Sequence, residues 1–246
     1  IDVVSHQLHF KFLKGGGIPI LFESGNGDDC ALLEQVLQPL YDSTEATLIT
    51  YDRAGEGKSG IDTLNISFEG EIADLKLGLD QLGYSEEVFI VSHSFGSFYT
   101  TLFDYKYQNR IKGAVFIDVA LPCFTTKEWS KEFMDSISNE NWKLIKQYKL
   151  GLYYVLKKLD SIASYMDDKQ LDSNIQVTLI AAEKILSMVK AHETAKWIEC
   201  LKSFGSLPNH TYVLAKGAGH KVWKDKSHLV IDEIVKLYRE TIKSER

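Results

Sequence analysis

The chain is poor in cysteine, has no long apolar run and carries no basic stripe. Its three cysteines, Cys30, Cys123 and Cys200, lie far apart, form no CxxC pair and have no histidine at ligand spacing. So sparse and odd a set fits a reducing compartment, and fits neither a disulfide framework nor a zinc site. No window reaches the roughly eighteen consecutive apolar residues of a membrane span. The opening residues, Ile1 to His6, have neither the basic n-region nor the apolar h-region of a signal peptide. Lys and Arg number 28 against 34 Asp and Glu, a net charge of −6, which argues against nucleic acid as the main partner. The Lys-rich piece from Lys143 to Lys149 alternates with apolar residues and reads as the outer face of a helix. Repeats, low-complexity tracts and linkers are absent too. The expectation is a cytoplasmic, soluble protein with no membrane or nucleic-acid partner.

What is present is ordinary for a globular chain: 246 residues, 44% hydrophobic and 25% charged, enough for one sizeable α/β domain. Gln7 to Leu13 alternates as a half-buried strand, and Gly15-Gly-Gly makes the turn after it. Short apolar runs follow at Ile18–Phe22, Thr47–Tyr51, Val88–Val91, Ile111–Val119, Gln176–Ala181 and His210–Ala215. Between them lie helical patterns over Ala31–Leu40, Ser67–Leu82, Phe95–Tyr107, Ser187–Leu201 and Leu229–Lys243. Apolar strands alternating with helices predict crossover connections and a parallel sheet covered on both faces. The glycine-rich and polar turns fall at the strands' C-terminal ends, where such sheets bind ligands. From 121 to 174 the rhythm stops, and aromatic and Lys-rich helical patterns run without a strand. That stretch reads as a helical cap inserted into a core of 1–120 and 175–246, leaving from a strand's C-terminal end and so placed over the active face.

The chemistry starts from "VSHSFG", residues 91 to 96, where a buried strand turns into a helix. A turn that presents a nucleophile there needs small residues two before and two after it. Ser92-His93-Ser94-Phe95-Gly96 meets this with serine in place of the first glycine of G-x-S-x-G. An ordinary strand-to-helix turn is the competing reading. Ser94 would need a base, because a hydroxyl is a poor nucleophile near neutral pH. Of seven histidines, His220 alone follows a strand's end in a glycine-rich loop, "AKGAGHKVW", shortly before the last helix. It would act as the base of a Ser…His pair. The carboxylate that orients it is either Asp118, ending the strand "GAVFIDVALP", or Glu183 after the penultimate strand. Asp118 is favoured, since a carboxylate ending a buried strand needs a partner. Oxyanion donors would be the backbone N–H groups of Phe95 and of Asn26, the latter in "ESGNGDD". The stretch "DRAGEGKS" hints at a phosphate loop, but its spacing fails G-x-x-x-x-G-K-[ST], and Asp52 and Arg53 read as residues that tie neighbouring loops.

With these pieces in place the chain resembles the α/β-hydrolase superfamily over nearly its whole length, through "ILFESGNGDD", "TYDRAGEGKSG", "VSHSFGS", "IKGAVFIDVALP" and "KGAGHKVWKDKSHLVIDEI" in family order. E-S-G-x-G in place of the commoner H-G, with D-R-A-G-x-G-x-S, is similar to a group of bacterial hydrolases of broad or undetermined specificity. Ser24 in the usual histidine position and Ser92 for glycine are the two departures. The resemblance implies an eight-stranded, mostly parallel sheet with helices on both faces, a helical cap and a Ser94–Asp118–His220 triad. Haloalkane dehalogenases in this superfamily take their acid from the strand before the cap, which supports Asp118, but they attack with aspartate, so Ser94 argues against their chemistry. The expected activity is hydrolysis of a carboxylic ester or related small-molecule acyl compound, without metal or cofactor. Two alternatives are a ligand-binding protein on the same scaffold and an aminopeptidase. The aminopeptidase would need a cap carboxylate such as Glu128, Glu132 or Asp135 for the substrate's amine.

Overall fold

The computed structural model describes residues 1–243. Two short strands, β1 (Asp2–Val3) and β2 (His6–Gln7), pair with each other as a small antiparallel ribbon. The main sheet is built from β3 (Phe10–Leu13), β4 (Gly16–Glu23), β5 (Ala46–Tyr51), β6 (Val88–His93), β7 (Ile111–Ile117), β8 (Gln176–Ala182) and β9 (His210–Ala215). Their spatial order is β3-β5-β4-β6-β7-β8-β9, parallel throughout except where β3 meets β5. The sheet therefore has seven strands among the described residues, one fewer than the eight expected. The N-terminal strands β1 and β2 pair with each other and do not join it, and the predicted strand over Gln7 to Leu13 breaks at its middle, so that it joins the sheet only from Phe10. His9 leaves the ladder there: its N–H donates to the Ser59 hydroxyl and its ring Nδ1 lies 2.8 Å from Asp52 Oδ2.

Five helices flank the sheet: α1 (Glu34–Thr44), α2 (Phe68–Gln81), α3 (Gly96–Lys106), α8 (Thr194–Gly205) and α10 (Ser227–Lys243), the last preceded by the short α9 (Val222–Asp225). Successive residues of each strand serve opposite cores, as the two-residue period of a strand requires. Leu21, Ile49, Ile90 and Phe116 pack with α2, α3 and α8, while Ile20, Phe22, Val91 and Val115 pack with α1 and α10. Fully apolar strands of this kind need cover on both sides, which is why the alternation is invisible in the sequence. The predicted helix over Ser187–Leu201 starts late. Residues 191–193 form a single 3₁₀ turn, and α8 begins at Thr194.

Between β7 and β8 lie four further helices, α4 (Lys127–Ser136), α5 (Asn139–Tyr148), α6 (Leu150–Lys157) and α7 (Leu159–Met166). Thr126 and Ser138 cap α4 and α5 by accepting from the Trp129 and Asn141 N–H groups. Three contacts seat this insertion on loops at the C-terminal edge of the sheet. Gly151 N–H donates to Gly55 O, Leu152 N–H to Glu56 Oε1, and Lys149 Nζ to Gly27 O. A side chain at Gly151 would strike Ala54 O at 2.4 Å, so only glycine allows that approach.

The cysteines depart from expectation. Cys123, at the start of the insertion, is disulfide-bonded to Cys200 on α8, with Cα atoms 5.8 Å apart. Spacing along the chain could not reveal a pair 77 residues apart. The cysteine-based case for a reducing compartment is therefore withdrawn. Among the described residues no helix is long and apolar enough to cross a membrane.

Candidate active site

The strand order reverses beside β4: the chain runs from β4 outward to β5, then crosses back to β6 on β4's other side. Parallel sheets bind ligands outside the carboxyl ends at such a reversal. Here it brings together the loop after β4, holding Ser24 to Asn26, and the turn after β6, holding Ser94.

Ser94 has φ +54°, the left-handed conformation that an L-residue adopts only when its surroundings enforce it. The enforcement is visible. Ser94 N–H donates to Ile117 O, and its carbonyl accepts from the Ala120 N–H and the Ser97 hydroxyl. Gly96 lies so near the end of β4 that a Cβ there would meet Glu23 O at 2.6 Å. Ser92 is tolerated in place of glycine because its buried hydroxyl is 2.6 Å from that of Thr100 on α3.

His220, in the loop after β9, has Nδ1 2.7 Å from Asp118 Oδ2. The other Asp118 oxygen accepts from Ala182 N–H at 3.0 Å, so this buried carboxylate is satisfied on both sides. Glu183 is engaged elsewhere, accepting from the Gly217 N–H. Ser94 and His220 line one cavity of about 570 Å³ together with Asn26 and Phe95. No hydrogen bond joins the Ser94 hydroxyl to His220 among the described residues, and contacts of this kind tighten when substrate is bound. Neither the Asn26 nor the Phe95 backbone N–H finds an acceptor among the described residues. Glu128, Glu132 and Asp135 are exposed and absent from the cavity wall, and Glu132 pairs with Lys190 at 3.1 Å. The carboxylate that an aminopeptidase would need is therefore not supplied by these residues.

Further residues support the site. His93, buried beneath His220 with ring centroids 4.3 Å apart, turns Nε2 toward His220 O at 3.2 Å. A carbonyl can only accept, so Nε2 carries the proton, and Nδ1 makes no hydrogen bond among the described residues. Burial, helped by the neighbouring His220, pushes the pKa of His93 well below the usual value and keeps the ring neutral. Arg53 spans the β4 loop from below. Its guanidinium donates to Glu23 Oε1, Ser24 O and Gly25 O, while Tyr51 OH donates to Glu23 Oε2. Arg53 thereby fixes the carbonyls that precede Asn26. The reading of Arg53 in "DRAGEGKS" as a tie to a neighbouring loop thus holds, while its partner Glu23 was not foreseen.

Asp52 is the hub of that same turn, accepting from the Cys30 and Lys58 N–H groups and from His9. Burial alone would raise its pKa, but the Lys58 and Cys30 amides and His9 bring it below the ordinary value. His9, Cys30 and Asp52 place their ligand atoms within 4.8 Å of one another, the closest approach to a metal set among the described residues. Both Asp52 oxygens are already taken. Burial, followed by Asp52, pushes the Cys30 thiol up to about 11. The cluster reads as a loop clamp.

The sheet order, the reversal at β4 and the tight turn at Ser94 define an α/β-hydrolase fold. Solved structures of that kind superpose on almost the whole chain. They include a thermophilic esterase from Thermogutta terrifontis (17% identity, TM-score 0.68, 96% of this chain and 94% of that one). An esterase from Exiguobacterium antarcticum matches with 13% identity and TM-score 0.69 over 95% and 96% of the two chains. A putative epoxide hydrolase from Pseudomonas aeruginosa matches with 13% identity and TM-score 0.70 over 100% and 96%. By sequence the chain is similar to an uncharacterised protein of Bacillus subtilis, YqjL, at 28% identity over 229 residues, 90% of this chain and 84% of that protein. No family model matches the chain.

Proposed function

We propose that the protein is a serine hydrolase that cleaves a carboxylic ester or related acyl compound through an acyl-enzyme on Ser94. The observation that carries this reading is the His220 Nδ1–Asp118 Oδ2 contact of 2.7 Å, with His220 opening onto the same cavity as Ser94. Asp118 holds His220 in the tautomer with hydrogen on Nδ1, leaving Nε2 free to take the Ser94 proton. The oxygen of the attacked carbonyl becomes an anion, and the unused N–H groups of Asn26 and Phe95 are its donors. His220 then returns the proton to the leaving group. Water, deprotonated by His220, attacks the acyl-enzyme and frees Ser94. The insertion at 121–174 is the cap, its apolar side chains excluding bulk water from the reacting bond. No step uses a metal. The esterase neighbours support hydrolysis as the activity of the fold, and serine in the nucleophile position supports acyl transfer.

Labelling with a fluorophosphonate tests the mechanism against a binding protein on the same scaffold. Wild type should react, His220→Ala should react far more slowly and Ser94→Ala should not react. Equal labelling of Ser94→Ala and wild type would refute the assignment.

A further inference from the structure

Two cavities adjoin at Asp28 and Lys221, beside the reacting centre, and they differ in kind. The first, about 570 Å³, is walled by the apolar side chains of the insertion and α8, among them Trp129, Phe133, Ile145, Leu156, Leu159 and Trp197. Its volume falls within the roughly 300–1,000 Å³ of ordinary small-ligand sites. Apart from His220, its ionisable side chains are Asp28 and Lys221 alone. The second, about 560 Å³, is a more open groove along the β4 loop and the start of α1. It is polar, with Lys149, Lys221 and Lys224 facing Asp28, Asp29 and Glu34, three charges of each sign. The two cavities share only Asp28 and Lys221, whose side chains are ion-paired at 3.0 Å. Asp28 lies two residues after Asn26, and Lys221 follows His220 directly.

Resting on the serine mechanism above, we infer that the two cavities sort the two halves of the substrate: a neutral, apolar, medium-length acyl chain in the first, and an uncharged, hydroxyl-bearing leaving group in the second, met by Asp28 and Lys221. The order of events fixes which half goes where. Ser94 Oγ bonds to the carbonyl carbon and the carbon–oxygen bond to the alcohol breaks. The alcohol oxygen takes the proton that His220 received from Ser94. The acyl group stays attached while the alcohol leaves first, so the alcohol belongs in the compartment open to solvent. Lys221, beside His220, lines both compartments. The groove's balanced charge disfavours a phosphate or carboxylate, since it is lined by as many acids as lysines. A polyol satisfies both signs, donating to carboxylates and accepting from ammonium groups. An acyl chain bearing a charge would be left unpaired among the apolar walls of the first cavity. Single-chain glycerol esters have this division.

The test compares kcat/KM for wild type on 1-octanoylglycerol, ethyl octanoate, octyl acetate and 1-octanoylglycerol 3-phosphate, with fluorophosphonate labelling of Ser94 run alongside. The glycerol ester should exceed each of the others by tenfold or more. Within a series from 1-butanoylglycerol to 1-octanoylglycerol, kcat/KM should rise by about fourfold per methylene, the fold-change of burying one CH₂. Lys221→Met should bring the ratio of glycerol ester to ethyl ester toward one. A preference for octyl acetate would reverse the compartments, and a preference for the phosphate or for ethyl octanoate would refute the leaving-group class. If Ser94 labels and these orders fail, the sorting is wrong while the mechanism stands. If Ser94 does not label, both fall.

Discussion

Opening the Cys123–Cys200 bridge should destabilise the protein without disturbing the sheet. The bridge closes a loop of 77 residues that contains the whole insertion, all of β8 and the first half of α8. In the chain-entropy model a loop of that length removes ~15 cal/mol/K from the unfolded ensemble, or about 4.5 kcal/mol at 25 °C. For a domain of this size each kcal/mol corresponds to roughly 2–4 °C in Tm, so the full entropic value is a fall of roughly 9–18 °C. The bridge also sits beside packing that matters locally. Phe124 meets the Trp197 ring edge-on at 4.9 Å and Trp129 at 5.1 Å, and both tryptophans line the apolar cavity.

Three measurements together decide the matter. Denatured, unreduced protein should titrate one thiol, Cys30, and reduced protein three. The Cys123→Ala/Cys200→Ala double variant should melt lower than wild type by near-UV circular dichroism, and added reductant should lower wild type to the same point. Cys123 is exposed, so reductant has access without unfolding. Three thiols in the unreduced protein, or a double variant that melts with wild type, would refute the reasoning.

Asp118→Asn should lower kcat by about 10⁴-fold, because an amide no longer holds the His220 tautomer, whereas Glu183→Gln should change it little; a loss confined to the Glu183 variant would reverse the assignment. Arg53→Met leaves the Glu23 carboxylate buried and unpaired, at a cost of about 3–5 kcal/mol in urea denaturation. Adding Glu23→Gln should recover stability but not kcat, since the Ser24 and Gly25 carbonyls stay unclamped; recovery of both would show that the clamp does not aim the loop. The Glu71 carboxyl, bonded by Tyr99 OH, is pushed up to about 7 by burial, against the opposing charge of Arg53. Raised above its unfolded value of about 4.3, it adds stability in full below that pH and loses it as pH climbs through 7. Wild-type stability relative to Glu71→Gln should therefore fall by about 3 kcal/mol between pH 4 and 8, and parallel pH profiles of unfolding free energy would exclude it. His93 runs the other way: its lowered pKa costs stability as pH drops below about 6.5. A His93→Asn variant should lose less stability between pH 7 and 5 than wild type, and an equal loss would assign the acid sensitivity to other groups.

Much of the fold was legible because its signals are local. Apolar runs of strand length, helical periodicity and glycine-rich turns at strand ends are consequences of backbone geometry within a few residues. So is the Ser94 turn, announced by small residues at 92 and 96, although the close approach of Gly96 to β4 is a tertiary contact. His220 was legible through its place after a strand in a glycine-rich loop. The carboxylate partner of His220 was half legible: two carboxylates stood at strand ends, and only the contacts to His220 and Gly217 separate Asp118 from Glu183.

Tertiary structure alone decided what depends on residues far apart in sequence. Cys123 and Cys200 meet because α8 packs under the start of the insertion, and no spacing rule encodes that. The predicted first strand lost its middle to His9, whose ring is drawn to an aspartate 43 residues on. The sequence marked Arg53 as a loop tie but not Glu23 or Glu71 as its company, yet the three share one buried cluster in which each partner's burial requires the others. The pairing of Asp28 with Lys221 spans 193 residues and joins two cavities that no segment could announce. Local sequence sets which backbone shapes are available. Which polar groups end up buried together, and so which charges need partners, is settled only when the sheet order is complete.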